Sequence, residues 1–76
     1  MITLRVLSSE HGHQELVLEI AEAADYILEQ KEKGKVGFVK FDDGQILEMM
    51  ERTGILQQLE EHDDQQATIV PVVSGG

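Results

Sequence analysis

The sequence predicts an α+β fold in which a mixed sheet of four to five strands packs on one main helix. Apolar and polar residues alternate near both ends of the chain, and a segment with helical periodicity lies between these stretches. Alternation is typical of half-buried strands, whereas a repeat of three to four residues is typical of an amphipathic helix. A helix packed across one face of a sheet buries one side of every element, so this arrangement is economical.

Two strands separated by a short polar turn are predicted at the start of the chain. Their apolar residues alternate: Ile2, Leu4 and Val6 in residues 1–7, then Leu16, Leu18 and Ile20 in residues 15–20. The intervening residues 8–13 are polar or glycine, and Gly12 can adopt the positive φ that hairpins often need. We therefore expect the two strands to form an antiparallel hairpin.

The main helix is predicted after this hairpin. Its apolar stripe and its polar side recur at helical spacing, with Ala23, Ala24, Ile27 and Leu28 on the stripe and Glu22, Asp25, Glu29 and Lys33 opposite. Glu29 and Lys33 are four residues apart, which favours an ion pair on the helix surface. Gly34 can take the left-handed conformation that ends many helices, so the helix should stop there.

A third strand and an ambiguous segment follow the helix. Residues 35–41 are predicted to form a strand, and the turn signal Asp42-Asp43-Gly44 comes directly after them. Beyond it, residues 46–50 fit either a returning strand or a short helix that ends at Gly54, with Ile46, Met49, Met50 and Thr53 as its stripe. We favour a helical or irregular connection. Three later residues are expected to join the core: Ile55, Leu56 and Leu59.

The last strand is predicted over residues 67–73, after a polar turn at 63–66. Pro71 has no N–H to donate, so it should lie near a sheet edge or at a strand end. We expect this strand to pair in parallel with the first one and to bring the C-terminus to the sheet edge. Residues 1–73 would then form one domain, and residues 74–76 a flexible tail.

The composition narrows the classes of function. The 76 residues contain 15 acidic and 6 basic side chains, giving a net charge of -9 and a surface that repels nucleic acid. Such a surface suits a partner with a basic face, but it also suits solubility alone or a salt-adapted source. There is no cysteine for a disulfide, no apolar run near the roughly 20 residues of a membrane span and no signal-peptide pattern. We therefore expect a cytoplasmic protein without membrane contact.

No residue pattern indicates an active site or a cofactor. His11 and His13 offer two metal ligands at most, and Glu10 or His62 would have to complete the set. We expect no metal there and interpret these histidines as part of a solvated turn. The charged stretch 60–64 is interpreted in the same way. No serine lies in a nucleophile elbow with a base and an acid, so we do not expect an enzyme.

The C-terminal residues Val72-Val73-Ser74-Gly75-Gly76 raise a different possibility. Glycines have little steric bulk and can adopt φ values that other residues avoid, so Gly75 and Gly76 would let the chain enter a narrow channel. A terminal pair of glycines is also typical of a frayed end. By itself the Gly-Gly pair favours the frayed end.

The ten residues 67–76 resemble the ending of the ubiquitin-like sulfur-carrier proteins, especially the small subunit of molybdopterin synthase and the archaeal small modifier proteins. In that family an alternating strand leads to a proline, an apolar residue, a small residue and Gly-Gly. Here the strand contains Ile69 and Val70, Pro71 matches the proline, and residues 73–76 match the tail. The order of elements also resembles the family's β-grasp fold.

This resemblance implies a function for the tail. A ubiquitin-activating-type adenylyltransferase would use ATP to adenylate the carboxylate of Gly76. The product would become a thiocarboxylate that donates sulfur, as in molybdenum cofactor biosynthesis with a synthase large subunit, or it would be joined to a lysine of a target protein. Gly76 would be the acyl carrier, Gly75 would give the tail room, and three residues would position it: Val72, Val73 and Ser74.

A second hypothesis is a small β-grasp module for protein interaction or regulation, without acyl chemistry. Residues 43–61, which are rich in Met, Glu and Gln, show no resemblance of this kind to the sulfur-carrier family and favour this alternative. Removal of Gly75 and Gly76 distinguishes the two. A carrier would lose its function while staying folded, whereas a module would keep binding its partner.

Overall fold

The computed structural model describes residues 1–8, 12–47 and 51–72. The described elements are β1 (Ile2–Ser8), β2 (Gly12–Leu18), α1 (Ile20–Glu32), β3 (Phe38–Phe41), α2 (Arg52–Glu61) and β4 (Gln66–Val70). The strands form one sheet in the order β2-β1-β4-β3. β1 pairs antiparallel with β2 and parallel with β4, and β3 pairs antiparallel with β4. The predicted α+β class and mixed sheet are confirmed, but a second helix accompanies the main one.

The first two strands form the predicted hairpin. Their register runs from Ile2 opposite Leu18 to Ser8 opposite Gly12, and Gly12 has a φ of 71°. The prediction that Ile20 belongs to β2 is wrong, because Ile20 is the first residue of α1. The Ala23 N–H donates a hydrogen bond of 2.8 Å to the Glu19 carbonyl. This bond belongs to the first turn of α1, so the helix begins at Ile20, which the alternation had assigned to the strand.

Both helices lie on one face of the sheet and share a core with it. The largest fully buried side chains come from three strands and both helices: Ile2, Leu4, Ile27, Val39, Ile55, Leu59 and Ile69. Ala23 and Ala24 are also buried, as the helical stripe predicted, and α1 packs against α2 and β1. Burial of these apolar side chains stabilises the fold by about 1.5 to 3 kcal/mol for each large one.

The end of α1 follows the prediction closely. The Gly34 N–H donates to the Lys31 carbonyl at 2.9 Å, and the Lys35 N–H donates to the Gln30 carbonyl at 3.0 Å. These two bonds are those of a Schellman motif, which requires a left-handed residue, and Gly34 has a φ of 71°. The predicted ion pair is present, with Lys33 Nζ at 3.1 Å from Glu29 Oε1.

The described parts of the ambiguous segment are an irregular return up to residue 47 and the helix α2 from Arg52. The turn at 42–44 has Gly44 at a φ of 90°, and Ile46 then forms an isolated antiparallel bridge with Lys40. The alternative of a short helix ending at Gly54 is wrong, because Gly54 lies in the first turn of α2, where glycine is tolerated. Met49 and Met50 lie outside the described residues. The core role predicted for Ile55, Leu56 and Leu59 is confirmed: Ile55 and Leu59 are buried and Leu56 packs against them.

β4 is an inner strand, so the expectation that it lies at the sheet edge is wrong. β3 crosses to the far side of β4 and pairs with it, placing Val39 opposite Ile69. The predicted parallel pairing with β1 is confirmed. β4 ends at Val70, and Pro71 follows as the predicted strand end. A proline at this place takes no hydrogen bond away from the central ladder.

Candidate functional site

The end of β4 is the place from which the predicted tail continues. Pro71 is half-buried there, and the Val72 side chain is 54% exposed. Val72 is the only member of the predicted tail site within the described part of the chain. The other four lie outside it: Val73, Ser74, Gly75 and Gly76. Pro71 and Val72 thus form the base of the predicted tail.

Gly37 holds the base of the tail against the start of β3. Its N–H donates to the Val70 carbonyl at 2.7 Å. A Cβ added to Gly37 would lie 3.0 Å from the Pro71 carbonyl oxygen and 3.2 Å from that of Val70. Gly37 falls within the strand that the sequence predicts over residues 35–41, where no role for it is apparent. A glycine inside a strand pattern is nevertheless a signal for close backbone approach.

The sheet face opposite the helices carries two cations beside an apolar pair. Phe38 lies opposite Val70, and Lys40 lies opposite Thr68, in positions that alternate with the buried Val39 and Ile69. The Phe38 side chain is 40% exposed. On β1, which lies on the other side of β4, Arg5 is on the same face as Lys40. Its Nη2 lies 3.2 Å from Glu15 Oε1. This surface, which we call the bare face, therefore carries both apolar and cationic side chains, although the chain as a whole is acidic.

His62 is buried, so the interpretation of 60–64 as a solvated turn is wrong at this residue. Its side chain is about 5% exposed and its ring stacks on Phe41, with ring centroids 3.7 Å apart and planes 5° from parallel. Nδ1 lies 2.8 Å from the Gln58 carbonyl oxygen, and Nε2 lies 3.1 Å from Asp43 Oδ2. A signal was present in the sequence, because His62 continues the buried stripe of α2 three residues after Leu59.

The contacts of His62 favour its charged form. The Gln58 carbonyl raises the pKa of His62, burial of the ring opposes this rise, and Asp43 and Glu61 raise the pKa further. The Gln45 N–H lowers the pKa of Asp43, and the hydrogen bond to His62 lowers it as well. A charged imidazole donates from both nitrogens, which matches two acceptors. The ring therefore links the turn after β3 to α2 and leaves neither nitrogen for a metal or for proton transfer.

The metal interpretation gains no support from the described residues. Within residues 1–8, 12–47 and 51–72, no group of three or more histidine and acidic side chains could hold a metal ion. His13 is exposed on β2, and His62 is engaged as described. His11 and Glu10 lie outside the described residues.

A shallow groove of about 530 Å³ lies beside α2. Its lining residues are Gln45, Ile46, Gly54, Gln57, Gln58 and Glu61. Apart from Ile46, the lining side chains are amides and one carboxylate, so the groove offers no hydroxyl, thiol or imidazole as a nucleophile. It gives no reason to expect catalysis.

Neither of the two described helices combines the length and the apolar character that would be needed to cross a membrane. Comparison of the chain with protein-family models, with curated proteins and with solved structures finds no match. The function is therefore inferred from the residues of this chain.

Proposed function

We propose that this chain is a ubiquitin-like sulfur carrier or protein modifier whose reacting group is the α-carboxylate of Gly76. The observation that carries the proposal is the exit from β4. An inner strand of the sheet ends at Val70 and continues through Pro71 to the exposed Val72, four residues before Gly76. A strand that is held on both sides gives a fixed base to whatever follows it.

The architecture is compatible with the β-grasp fold that the proposal requires. The first and last strands form a parallel pair at the centre of the sheet, with β2 and β3 outside them. α1 packs across one face, and no described helix covers the other face. The resemblance of residues 67–76 to the sulfur-carrier ending supports the same assignment.

The proposed chemistry begins with activation of the carboxylate. A carboxylate oxygen of Gly76 attacks the α-phosphorus of ATP in the partner adenylyltransferase, and pyrophosphate leaves. This step turns an unreactive carboxylate into an acyl adenylate with AMP as its leaving group. The carrier supplies no catalytic side chain. Its contribution is to bring the reacting carbon to the partner's site, where fixed geometry replaces a diffusional encounter.

The acyl adenylate then follows one of two routes. In the sulfur route, the terminal sulfur of a persulfide attacks the acyl carbon and AMP leaves. A thiol then reduces the resulting S–S bond, so that the thiocarboxylate is released on Gly76 and the thiol is oxidised. In the modifier route, a lysine amine of the target attacks the acyl carbon, an amide bond forms, and AMP and one proton leave.

The second candidate function is a protein-interaction module that acts through the bare face. The exposed Phe38 and the Arg5 side chain on the same face favour it, because aromatic and arginine side chains are enriched in interfaces. This function would not need Gly75 or Gly76.

The experiment is intact-mass analysis of the chain after incubation with a ubiquitin-activating-type adenylyltransferase from the same source, ATP, a cysteine desulfurase with free cysteine as the sulfur source, and a thiol reductant. We expect an adenylate or a thiocarboxylate on Gly76. The matched control is a synthetic chain that carries a carboxamide on Gly76, which keeps the tail but cannot attack ATP. A wild-type chain that stays unmodified, or a carboxamide chain that is modified equally, would exclude the carrier function. Partner binding that survives removal of Gly75 and Gly76 without any acyl product would indicate the module.

A further inference from the structure

Gly37 has less room for a side chain than any other glycine in the described part of the chain. A Cβ built on Gly12, Gly34, Gly44 or Gly54 would meet nothing within 4 Å, whereas one on Gly37 would meet the Pro71 carbonyl oxygen at 3.0 Å. The neighbour is backbone and not the end of a flexible side chain. It cannot give way without moving the chain at the exit from β4.

The conformation of Gly37 does not require glycine. The described glycines with a positive φ are Gly12, Gly34 and Gly44, and Gly37 is not among them. An alanine at this place would therefore cause no backbone strain of its own. What only glycine provides here is room for the carbonyl groups of Val70 and Pro71, together with the 2.7 Å bond from its N–H.

We propose that Gly37 is a positioning residue that sets where the chain leaves the sheet on its way to Gly76. The inference rests on the proposed function. It adds that the residue before β3 holds the base of the tail in place. Gly37 holds the Val70 carbonyl by a hydrogen bond and lets the Pro71 carbonyl lie against the start of β3. Val72 thus begins from a fixed point. Holding reactants near the geometry of reaction lowers the barrier, so a fixed base for the tail favours delivery of the carboxylate.

The primary test is Gly37→Ala with Gly54→Ala as the matched control. Both variants add the same methyl group, but only the first adds it against a carbonyl group, which must move by a few tenths of an ångström. We expect Gly37→Ala to lower kcat for adenylation about tenfold, with KM within about twofold of the wild-type value. Gly54→Ala should leave both constants unchanged.

Two further variants separate position from stability. Val39→Ala weakens the buried side of β3 but leaves the Gly37–Pro71 contact intact, so kcat should be unchanged at a temperature where the variant is folded. A synthetic chain with an ester in place of the Gly37 amide removes the N–H donor and adds no bulk. It should also lower kcat, and it replaces Gly37→Ala as the test if that variant does not fold.

A structural readout accompanies the kinetics. Residual dipolar couplings of Val72 should change in Gly37→Ala and stay unchanged in Gly54→Ala. If the wild-type chain is adenylated and both Gly37 variants keep its kcat, the positioning role is wrong. If Val39→Ala lowers kcat as much as Gly37→Ala does, the role is merely structural and is again wrong. If the wild-type chain forms no adenylate with the partner, the proposed function itself fails, which is a different outcome.

Discussion

His62 shows how one buried polar residue can hold two parts of the chain together. Its ring lies flat on Phe41, at the end of β3, while its nitrogens contact the Gln58 carbonyl and the Asp43 carboxylate. Loss of either acceptor would leave a buried donor unsatisfied, which costs about 1 to 3 kcal/mol. The contacts around His62 therefore join the turn after β3 to the C-terminal end of α2.

The protonation of His62 should make the stability of the protein depend on pH. The pKa of His62 is raised in the folded chain above its ordinary value of 6.5. Its stabilising contribution is therefore fully present below about pH 6.5 and is lost as the pH rises through the folded pKa. We expect the urea midpoint to fall as the pH is raised above 6.5. Two-dimensional NMR of the imidazole should give a pKa above the ordinary value of 6.5.

The control for this prediction is Asp43→Asn. Its side-chain oxygen can still accept the bond that Asp43 Oδ1 receives from the Gln45 N–H, while its amide group can donate to a neutral His62. The pKa of His62 should fall, and the decrease in urea midpoint above pH 6.5 should become smaller. His13→Gln should keep the wild-type decrease. An unchanged pH dependence in Asp43→Asn would contradict the assigned contact.

The roles of His62 and Gly37 are hard to predict from the sequence, because both residues contact partners that are distant in the chain. The alternation of Ile2 and Leu4 is a local pattern with one physical cause, and both residues are buried as expected. The burial of His62 depends on Asp43, which is distant in sequence, and on a turn that brings the two together. The role of Gly37 depends in the same way on Pro71. Long-range partners leave little trace in a local pattern.

At the scale of the elements, two glycines test how α1 ends and how α2 begins. Gly34 has a φ of 71° at the end of α1, where a residue with a Cβ is strained, whereas Gly54 lies in the first turn of α2 with open space around it. Gly34→Ala should lower the free energy of unfolding by about 1 kcal/mol. Gly54→Ala should raise it by about 0.5 to 1 kcal/mol, because glycine is the poorer helix former. Urea denaturation of the two variants measures both changes.

The opposite signs make this pair of substitutions informative. If Gly54 ended a helix, as one interpretation of the sequence had it, alanine there would be destabilising as well. Equal losses of stability in the two variants would therefore contradict the position of α2. An unchanged stability in Gly34→Ala would contradict the left-handed end of α1.

The elements that the sequence predicted well are those with a strong local pattern. α1 combines an apolar stripe, an ion pair and a terminal glycine, and each of these agrees with the others. α2 was ambiguous because Gly54 resembles a stop signal and the apolar residues before it also fit a strand. The inner position of β4 could not be predicted, because the pairing partner of β3 is set by how the chain crosses the sheet. Alternation shows which side of a strand is buried and not which strand lies beside it.

At the scale of the whole molecule, repulsion among acidic groups opposes the ion pairs. The chain carries 15 acidic and 6 basic residues. In the described part of the chain, the exposed side-chain ion pairs include Arg5–Glu15, Lys33–Glu29 and Arg52–Asp25. An exposed pair contributes only about 0.2 to 1 kcal/mol, because water and salt screen it. Most acidic groups have no basic group to offset them. Repulsion should therefore outweigh attraction in the balance of surface charge.

Added salt should for this reason stabilise the protein. The screening length falls from about 30 Å at 0.01 M to about 3 Å at 1 M salt, so repulsion across the surface is weakened more than contacts at close range. We expect the urea midpoint to rise between 0.01 and 0.5 M NaCl. The double variant Glu32→Gln and Glu60→Gln removes two negative charges near the C-terminal ends of the helices, where the helix dipole disfavours them. It should start with a higher midpoint and respond less to salt. A wild-type midpoint that falls with salt would contradict this prediction. It would mean that attraction within the ion pairs outweighs repulsion among the acidic groups.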